Sequence, residues 1–523
     1  MEITTQRPGA APARSGGVRR YVQRHIYRWH RIIGLLTIVP VICWTLSGLL
    51  HPLMSNWLRP KIARESLPPL PAPRPTLPLT QVLARQHLTQ LRNVRLVRWQ
   101  GIPTYQVLTS GSATAMPRYF SAVTGAAGPA SADRQFAEQL ARYFTQDSTS
   151  RIVEAERLTS FTADYPFVNR LLPVWKITFE RPGVTTVYVE TMPARLATFN
   201  NPTRAAFLRF FSWLHSWSWL DYITNNTVRV MVMLALLGVI IASTLSGLVI
   251  YGLMWGRFRK PRNPQDQVGW LRKYHRAVGL AVALVTLTFA GSGAFHAWRK
   301  LQPDERLRYQ QQPVLATSRL PLDPSELPLH WPQVQNVALI ELNSHVYYQV
   351  TELPLPSGDE QNGNAAAGTS TGQPLEAVLP PQVTYYSAAT GHVLPEGEQQ
   401  YARFLANQFM QQTTGQPAPP IQQTELISHF EGEYGFINKR LPVVKVAYDT
   451  PQQTTLYVEA GTGRLAARVE NLDRYEGLSF AFLHKYHAIG SWGKNVRDAV
   501  TMLAAAGVLT VSVLGLWLFV KMK

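Results

Sequence analysis

The chain has 523 residues, of which 46% are hydrophobic, and it carries a formal net charge of +19. Its length exceeds one ordinary domain, so several folding units are expected. The single cysteine, Cys43, excludes an intrachain disulfide, a cysteine-based zinc or iron–sulfur site and a cysteine-attached haem. A charge this basic is typical of proteins that bind nucleic acid or a membrane, and its location along the chain distinguishes the two classes.

Four uncharged apolar blocks predict four transmembrane helices, because a spanning helix needs about 20 apolar residues and soluble cores rarely contain such stretches. Two long segments lie outside these blocks and are predicted to form outward domains. The predicted order is a basic tail at 1–28, a span at 29–53, an outward domain at 54–225, a span at 226–254, a loop at 255–274, a span at 275–298, a second outward domain at 299–495, and a last span with a short tail at 496–523.

The positive charge is concentrated on one predicted side of the membrane. Residues 1–31 carry seven Arg and one Glu, and residues 252–276 carry seven Lys or Arg and one Asp, so each segment has a net charge of +6. Lys521 and Lys523 lie on the same side if the chain crosses four times. This positive-inside bias predicts cytoplasmic termini and periplasmic outward domains in a bacterial inner membrane. The expected partner of the basic residues is therefore membrane lipid, and no nucleic acid is expected.

The sequence repeats itself, which predicts an internal duplication of one unit made of a span, an outward domain and a span. Residues 30–35 match 275–280 at an offset of 245, and 167–176 match 436–445 at an offset of 269. Each outward domain is predicted to be a small α+β module, because strand-like alternation, Thr-Gly turns and helical spacing recur in both. The predicted strands include 186–189 and 455–458, the turns are 124–125 and 390–391, the helices are 133–144 and 398–409, and 356–381 is a predicted disordered insertion.

Histidines at the ends of the predicted spans are the strongest functional signal, because an ionisable group is costly to place in a membrane. His30 and His51 are 21 residues apart. That spacing is about 31 Å along a helix, with the two side chains about 60° apart around its axis. His275 and His296 repeat the spacing. One imidazole pair is therefore predicted at each end of the bundle.

Paired imidazoles from facing helices are the axial ligands that a b-type haem needs when no cysteine attaches it. We therefore predict two haems b, with iron bound by His30, His275, His51 and His296. His215 and His484 are a further repeated pair just before the second and fourth spans. The sequence leaves open whether these two bind haem in place of, or alongside, His51 and His296.

The repeated motifs resemble the PepSY-associated transmembrane family, which includes iron-regulated inner-membrane proteins and ferric-siderophore reductases. They are the H-R-x-x-G-L helix starts at 30–35 and 275–280, the strands that end in Thr-Gly at 124–125 and 390–391, and the F-[VI]-N-x-x-L-P-V-x-K segments at 167–176 and 436–445. The resemblance implies PepSY-like periplasmic domains, haem b in the bundle, and electron transfer to a periplasmic ferric siderophore in iron acquisition. The donor is expected to be a separate cytoplasmic protein or a quinol.

Two other functions compete with this oxidoreductase. In the first, the outward modules bind or regulate a periplasmic protein without enzymatic activity, and the helices serve only as an anchor. A metal or haem transporter with a histidine relay is disfavoured, because no acidic residue accompanies the histidines within the predicted spans. Candidate residues for docking an anionic chelate are Tyr165, Tyr434, Arg170, Lys439, Lys176 and Lys445.

Overall fold

The computed structural model describes residues 16–56, 58–60, 62, 71–110, 115–183, 185–258, 268–301, 309–353 and 381–521. The chain divides into two compact units. The helical unit comprises Met1–Leu58, Ala206–Pro303 and Tyr475–Lys523, and the sheet unit comprises Arg59–Ala205 and Asp304–Arg474. All but the last residue of the predicted insertion at 356–381 falls outside the described residues.

The described residues form ten α-helices and fifteen strands, numbered here in chain order. The helices are α1 (Gly16–Asn56), α2 (Leu79–Arg85), α3 (Ala132–Thr145), α4 (Pro202–His215), α5 (Asn226–Leu253), α6 (Trp255–Phe258), α7 (Gly269–Arg299), α8 (Gly397–Thr414), α9 (Asn471–Ser479) and α10 (Lys494–Lys521). The strands are β1 (Gln90–Trp99), β2 (Ile102–Thr109), β3 (Arg118–Ser121), β4 (Ile152–Leu158), β5 (Val174–Phe179), β6 (Thr186–Glu190), β7 (Arg195–Asn200), β8 (Leu315–Ala316), β9 (Val334–Leu342), β10 (His345–Glu352), β11 (Gln382–Ser387), β12 (Ile421–Ile427), β13 (Val443–Tyr448), β14 (Thr455–Glu459) and β15 (Arg464–Val469).

The helical unit is a bundle of α1, α5, α7 and α10, and each of the four predicted apolar blocks is helical. All four helices are long and apolar enough to cross a membrane. Helices α1 and α7 each pack against both α5 and α10. Outward-facing residues such as Leu36, Leu284 and Leu503 are exposed, which suits contact with lipid. The interior of the bundle is formed by Val41, Leu237, Ile240, Ala290 and Val508.

The sheet unit contains one sheet shared by the two predicted outward modules and one smaller sheet from each module. The shared sheet has the order β11-β10-β9-β1-β2-β3, with β8 paired to β1. Strands β1 and β9 are antiparallel, and Arg95 lies opposite Ala338. The smaller sheets have the orders β4-β5-β6-β7 and β12-β13-β14-β15. The modules are therefore joined through main-chain pairing in the centre of this unit.

One helix packs on each smaller sheet, as the helical spacing predicts. In the first module, α3 buries Phe136, Leu140 and Phe144 against Ile177 and Val187. In the second, α8 packs against the strands β13 and β14 in the same way. The two predicted Thr-Gly turns are present, and their glycines have positive φ angles of 77° and 73°. Glycine suits these turns because it adopts the left-handed region without steric cost.

A carboxyl in the first turn of α8 makes the stability of the sheet unit pH-dependent. Burial raises the pKa of Glu398 to about 7, above its usual unfolded value of about 4.3. The protonated form therefore favours the folded state, and this contribution is lost as the pH rises from about 4.3 through 7. We expect Glu398→Gln to stabilise the protein by about 2 kcal/mol at pH 8 and by much less at pH 5. Thermal unfolding at both pH values measures the difference.

The matched control for this prediction is Glu396→Gln, two residues earlier in the chain, because Glu396 is exposed. Its unfolding midpoint should stay close to that of the unmodified protein at both pH values. An equal shift at pH 5 and pH 8 in Glu398→Gln would contradict the proposed role of this carboxyl.

Candidate functional site

The first histidine pair lies near the N-terminal ends of the apolar spans in α1 and α7. The ring centroids of His30 and His275 are 6.4 Å apart, with an angle of 62° between the ring planes. The Nδ1 atom of His30 lies 2.8 Å from Ser246 Oγ on α5. The Nδ1 atom of His275 lies 3.1 Å from the carbonyl oxygen of Val511 on α10, to which it donates. These bonds orient both rings and leave Nε2 as the nitrogen for a metal.

Two glycines allow the rings of this pair to lie directly against the neighbouring helices. A Cβ atom built on Gly247 of α5 would lie 3.3 Å from His30 Cε1. A Cβ atom on Gly515 of α10 would lie 3.2 Å from His275 Cε1. Neither glycine was predicted as part of the site, because both lie on the partner helices, far from the histidines in the chain. Gly247 and Gly515 are 268 residues apart, close to the 269-residue offset of the repeat. A comparison of the two copies would therefore have identified them as a corresponding pair.

The second pair is formed by His215 and His484, the two histidines whose role the sequence left open. Their ring centroids are also 6.4 Å apart, with an angle of 86° between the ring planes. The Nδ1 atom of His215 lies 3.0 Å from Ser47 Oγ on α1, and that of His484 lies 3.1 Å from Ser292 Oγ on α7. Both serines are buried. As in the first pair, a hydrogen bond to another helix fixes each ring through Nδ1.

A phenylalanine supports each ring of the second pair with the same geometry. Phe211 stacks on His215 at 4.8 Å with an interplanar angle of 13°, and Phe480 stacks on His484 with the same two values. His215 is the last residue of α4, whereas His484 ends a single turn of π-helix at Phe480–His484. Such π turns frequently occur at functional sites.

The other two predicted ligands, His51 and His296, make different contacts. His51 on α1 contacts the Phe211 ring, with 5.5 Å between centroids. His296 on α7 stacks on Phe480 at 4.6 Å, and its Nδ1 atom lies 2.6 Å from the Glu476 carboxylate on α9. No acidic residue lies beside the histidines within their own predicted spans, but His296 has a carboxylate partner from α9, which precedes the fourth span. The sequence missed this carboxylate because it comes from outside the predicted spans.

The separation of each pair suits two imidazoles on one metal ion. Metal–nitrogen bonds are about 2 Å long, so two imidazoles that bind one metal ion from opposite sides hold their bonded nitrogens about 4 Å apart and their ring centres somewhat farther apart. Both pairs have centroids at 6.4 Å. Among the residues that the structure describes, no cluster of three or more His, Cys, Asp or Glu is arranged to hold a metal ion. The donor set therefore fits a metal that brings its own equatorial ligands, as haem does.

Two of the suggested docking residues are buried in the sheet unit and cannot contact a chelate at its surface. Tyr165 and Tyr434 are 0% and 1% exposed, and their hydroxyls donate to backbone carbonyls of Leu171 and Arg440. Of the remaining four, three have polar partners and Lys439 lies near two arginines. Lys176 pairs with Glu154, Lys445 pairs with Glu425, Arg170 donates to Asn438, and burial with Arg59 and Arg204 nearby lowers the pKa of Lys439.

Four helices that can cross a membrane, together with a separate body of β-sheets, define a multi-pass membrane protein with a folded domain outside the bilayer. The sequence matches the profile of the PepSY-associated TM region over residues 27–338. Because this match covers more than half of the chain, the protein belongs to that family, as its motifs predict. No curated protein matches the chain.

Proposed function

We propose that this protein carries electrons across the bacterial inner membrane through two b-type haems and reduces a ferric siderophore or similar chelate in the periplasm. The observation that supports it best is the pair of matched histidine contacts, His30 with His275 and His215 with His484, each at 6.4 Å. A protein that used its helices only as an anchor would not need four oriented imidazoles within its helical bundle.

The haem iron would supply the one-electron chemistry, and the protein would supply its position and potential. We assign the first haem to His30 and His275. Ser246 and the Val511 carbonyl would hold these rings in place. We assign the second to His215 and His484, which Ser47 and Ser292 would orient. This assignment replaces His51 and His296 as ligands, because their rings lie against phenylalanines and, for His296, a carboxylate.

The choice of the second pair shortens the path between the two haem sites. His30 and Ser47, the contact of His215, are 17 residues apart on α1, as are His275 and Ser292 on α7. This spacing is about 25 Å along a helix, compared with about 31 Å between His30 and His51. The shorter separation favours transfer between the two sites without a further carrier.

An internal duplication explains why each histidine pair contains one histidine from each copy of the repeat. The contacts of the first copy recur in the second, with Phe211 and His215 corresponding to Phe480 and His484 at an offset of 269. We infer that the duplication produced both haem sites at once, each with one ligand from each copy. The positive-inside bias of the sequence supports a cytoplasmic position for the first pair and a periplasmic position for the sheet unit.

The first experiment is a visible spectrum of the purified full chain, expressed with an adequate haem supply. We expect sharp b-type bands in the dithionite-reduced minus oxidised spectrum, and two haems per chain in a pyridine haemochrome assay. Vesicles that contain the protein and trapped dithionite should then reduce an external ferric hydroxamate, measured with a ferrous-iron indicator. Protein-free vesicles with trapped dithionite are the control for leakage.

A colourless protein would overturn the redox proposal and would favour a periplasmic binding or regulatory role for the sheet unit. If the protein binds haem but does not reduce the external chelate, the haem assignment would stand and the ferric chelate would be excluded as the electron acceptor. The contact between His296 and Glu476 would then favour a proton or metal relay.

A further inference from the structure

A small pocket lined in part by charged side chains lies within the sheet unit, beside the ends of the smaller sheets. Its volume is about 40 Å³, which exceeds the about 10–15 Å³ that one water molecule needs. The pocket therefore has room for one small ion or a few water molecules. Its polar lining includes Asn93, Arg95, Arg157, Glu190, Gln312 and Arg464.

Buried carboxylates and guanidiniums form a network around this pocket. Arg195 donates to Glu459 and to Glu190, each at 2.6 Å. Arg440 donates to the second oxygen of Glu459 at 2.6 Å. Arg464 is 3.8 Å from Glu190. Both carboxylates are thus engaged by guanidiniums from both modules.

The network holds more positive than negative charge. The charged groups that act on Arg464 are two carboxylates, Glu190 and Glu459, and two guanidiniums, Arg195 and Arg440. Arg95 is a further guanidinium whose charge interacts with the same carboxylates. Among the described residues, four guanidiniums therefore share two carboxylates, an excess of two positive charges. Buried charge without compensation is costly, so an anion is the expected occupant of the pocket.

Arg464 is only partly compensated, since its carboxylate contact, to Glu190, is 3.8 Å long. Its Nη1 atom donates to the Leu172 carbonyl at 2.8 Å, but its buried Nε atom makes no hydrogen bond. Burial lowers the pKa of Arg464 to about 10, so the group is still charged at neutral pH. Asn93 and Gln312 each have a buried side-chain oxygen without a partner. Rotation of either amide would present NH₂ donors to the pocket instead.

We propose that this pocket binds one small monovalent anion, either a halide or the carboxylate group of a small acid, against the Arg464 guanidinium. The anion would neutralise part of the excess charge where the strands of the two modules meet. Its expected effect is on the stability of the sheet unit. This proposal does not depend on haem or on electron transfer.

The test is thermal unfolding of the full chain in detergent, followed by tryptophan fluorescence, at constant ionic strength. Sodium gluconate, whose anion is too large for the pocket, is replaced stepwise by sodium chloride or sodium formate. We expect a saturable rise of about 5 °C in the unfolding midpoint with at least one of the two small anions. A rise with chloride alone identifies a halide site, and a rise with formate identifies a carboxylate site.

Arg464→Gln should lose this saturable rise. Arg468→Gln is the matched control, because Arg468 lies on the same strand, β15, and pairs with Glu470 outside the pocket. It should keep the full rise. If Arg464→Gln does not fold, Gln312→Glu provides a second test, because a carboxylate in the pocket should replace the anion and remove the salt dependence. An unchanged midpoint in the unmodified protein, or an equal rise in Arg464→Gln, would overturn the proposal.

Discussion

Replacing His275 with alanine is expected to lower the haem content from two per chain to about one. The imidazole of His275 faces that of His30 at 6.4 Å, and its Nδ1 donates to the Val511 carbonyl. Without this ring, the proposed first iron would keep a single protein ligand, and b-type haem has no cysteine attachment to retain it. The second pair does not share these contacts, so its haem should stay bound. The pyridine haemochrome assay measures the loss.

His25→Ala is the matched control for this substitution. His25 lies on α1 five residues before His30, and its ring contacts are with Tyr21 and Trp29 on its own helix. The variant removes the same side chain from the same region and should keep two haems. Full haem content in His275→Ala, with an unchanged elution volume, would remove His275 from the ligand set. Loss of both haems together with an altered elution volume would indicate misfolding, and His30→Ala would then test the same pair.

The helices of the bundle were predictable because lipid imposes a simple rule on sequence. A chain that spans the hydrocarbon core must satisfy its backbone groups within a helix and show apolar side chains outward. The apolar block that contains the exposed Leu284 is therefore recognisable from the sequence, regardless of which helices it packs against. The strands at 186–189 and 455–458 were predictable for a related reason, since their side chains alternate between two environments.

The shared sheet was not predictable in the same way. Arg95 of β1 lies opposite Ala338 of β9, and these residues are more than 240 positions apart. Neither strand has a local sequence feature that identifies its partner. The sequence of an edge strand is similar whether that edge is free or pairs with a strand of another module. The ion-pair network of Glu190 and Glu459 could not be predicted from the sequence for the same reason, because its arginines come from both modules.

The histidine site was predicted in its residue types and only partly in its arrangement. The helical spacing placed His30 with His275, and the structure brings their rings together. The same spacing favoured His51 and His296 for the second pair, because it considers only residues on the spanning helices. His215 and His484 come from segments that precede the second and fourth spans, and their contact depends on tertiary packing.

Alanine variants can distinguish the two proposed ligand pairs for the second haem, His215 with His484 and His51 with His296. His215→Ala should lower the haem content from two per chain to one, and His484→Ala should do the same. Each of these rings has its Nδ1 bonded to a buried serine and faces the other ring at 6.4 Å. His51→Ala should keep two haems, because the ring contact of His51 is with Phe211. Haemochrome stoichiometry of the three variants provides the comparison.

His296→Ala completes the set, because it removes the partner of Glu476 without touching His484. It should also keep two haems, although the freed carboxylate near the proposed second haem should shift its midpoint potential in a redox titration. The opposite pattern, with haem lost from His51→Ala and His296→Ala and kept in His215→Ala, would restore the ligand set that helical spacing favours. The two haems would then be about 31 Å apart along the helices, and transfer between them would need a further carrier.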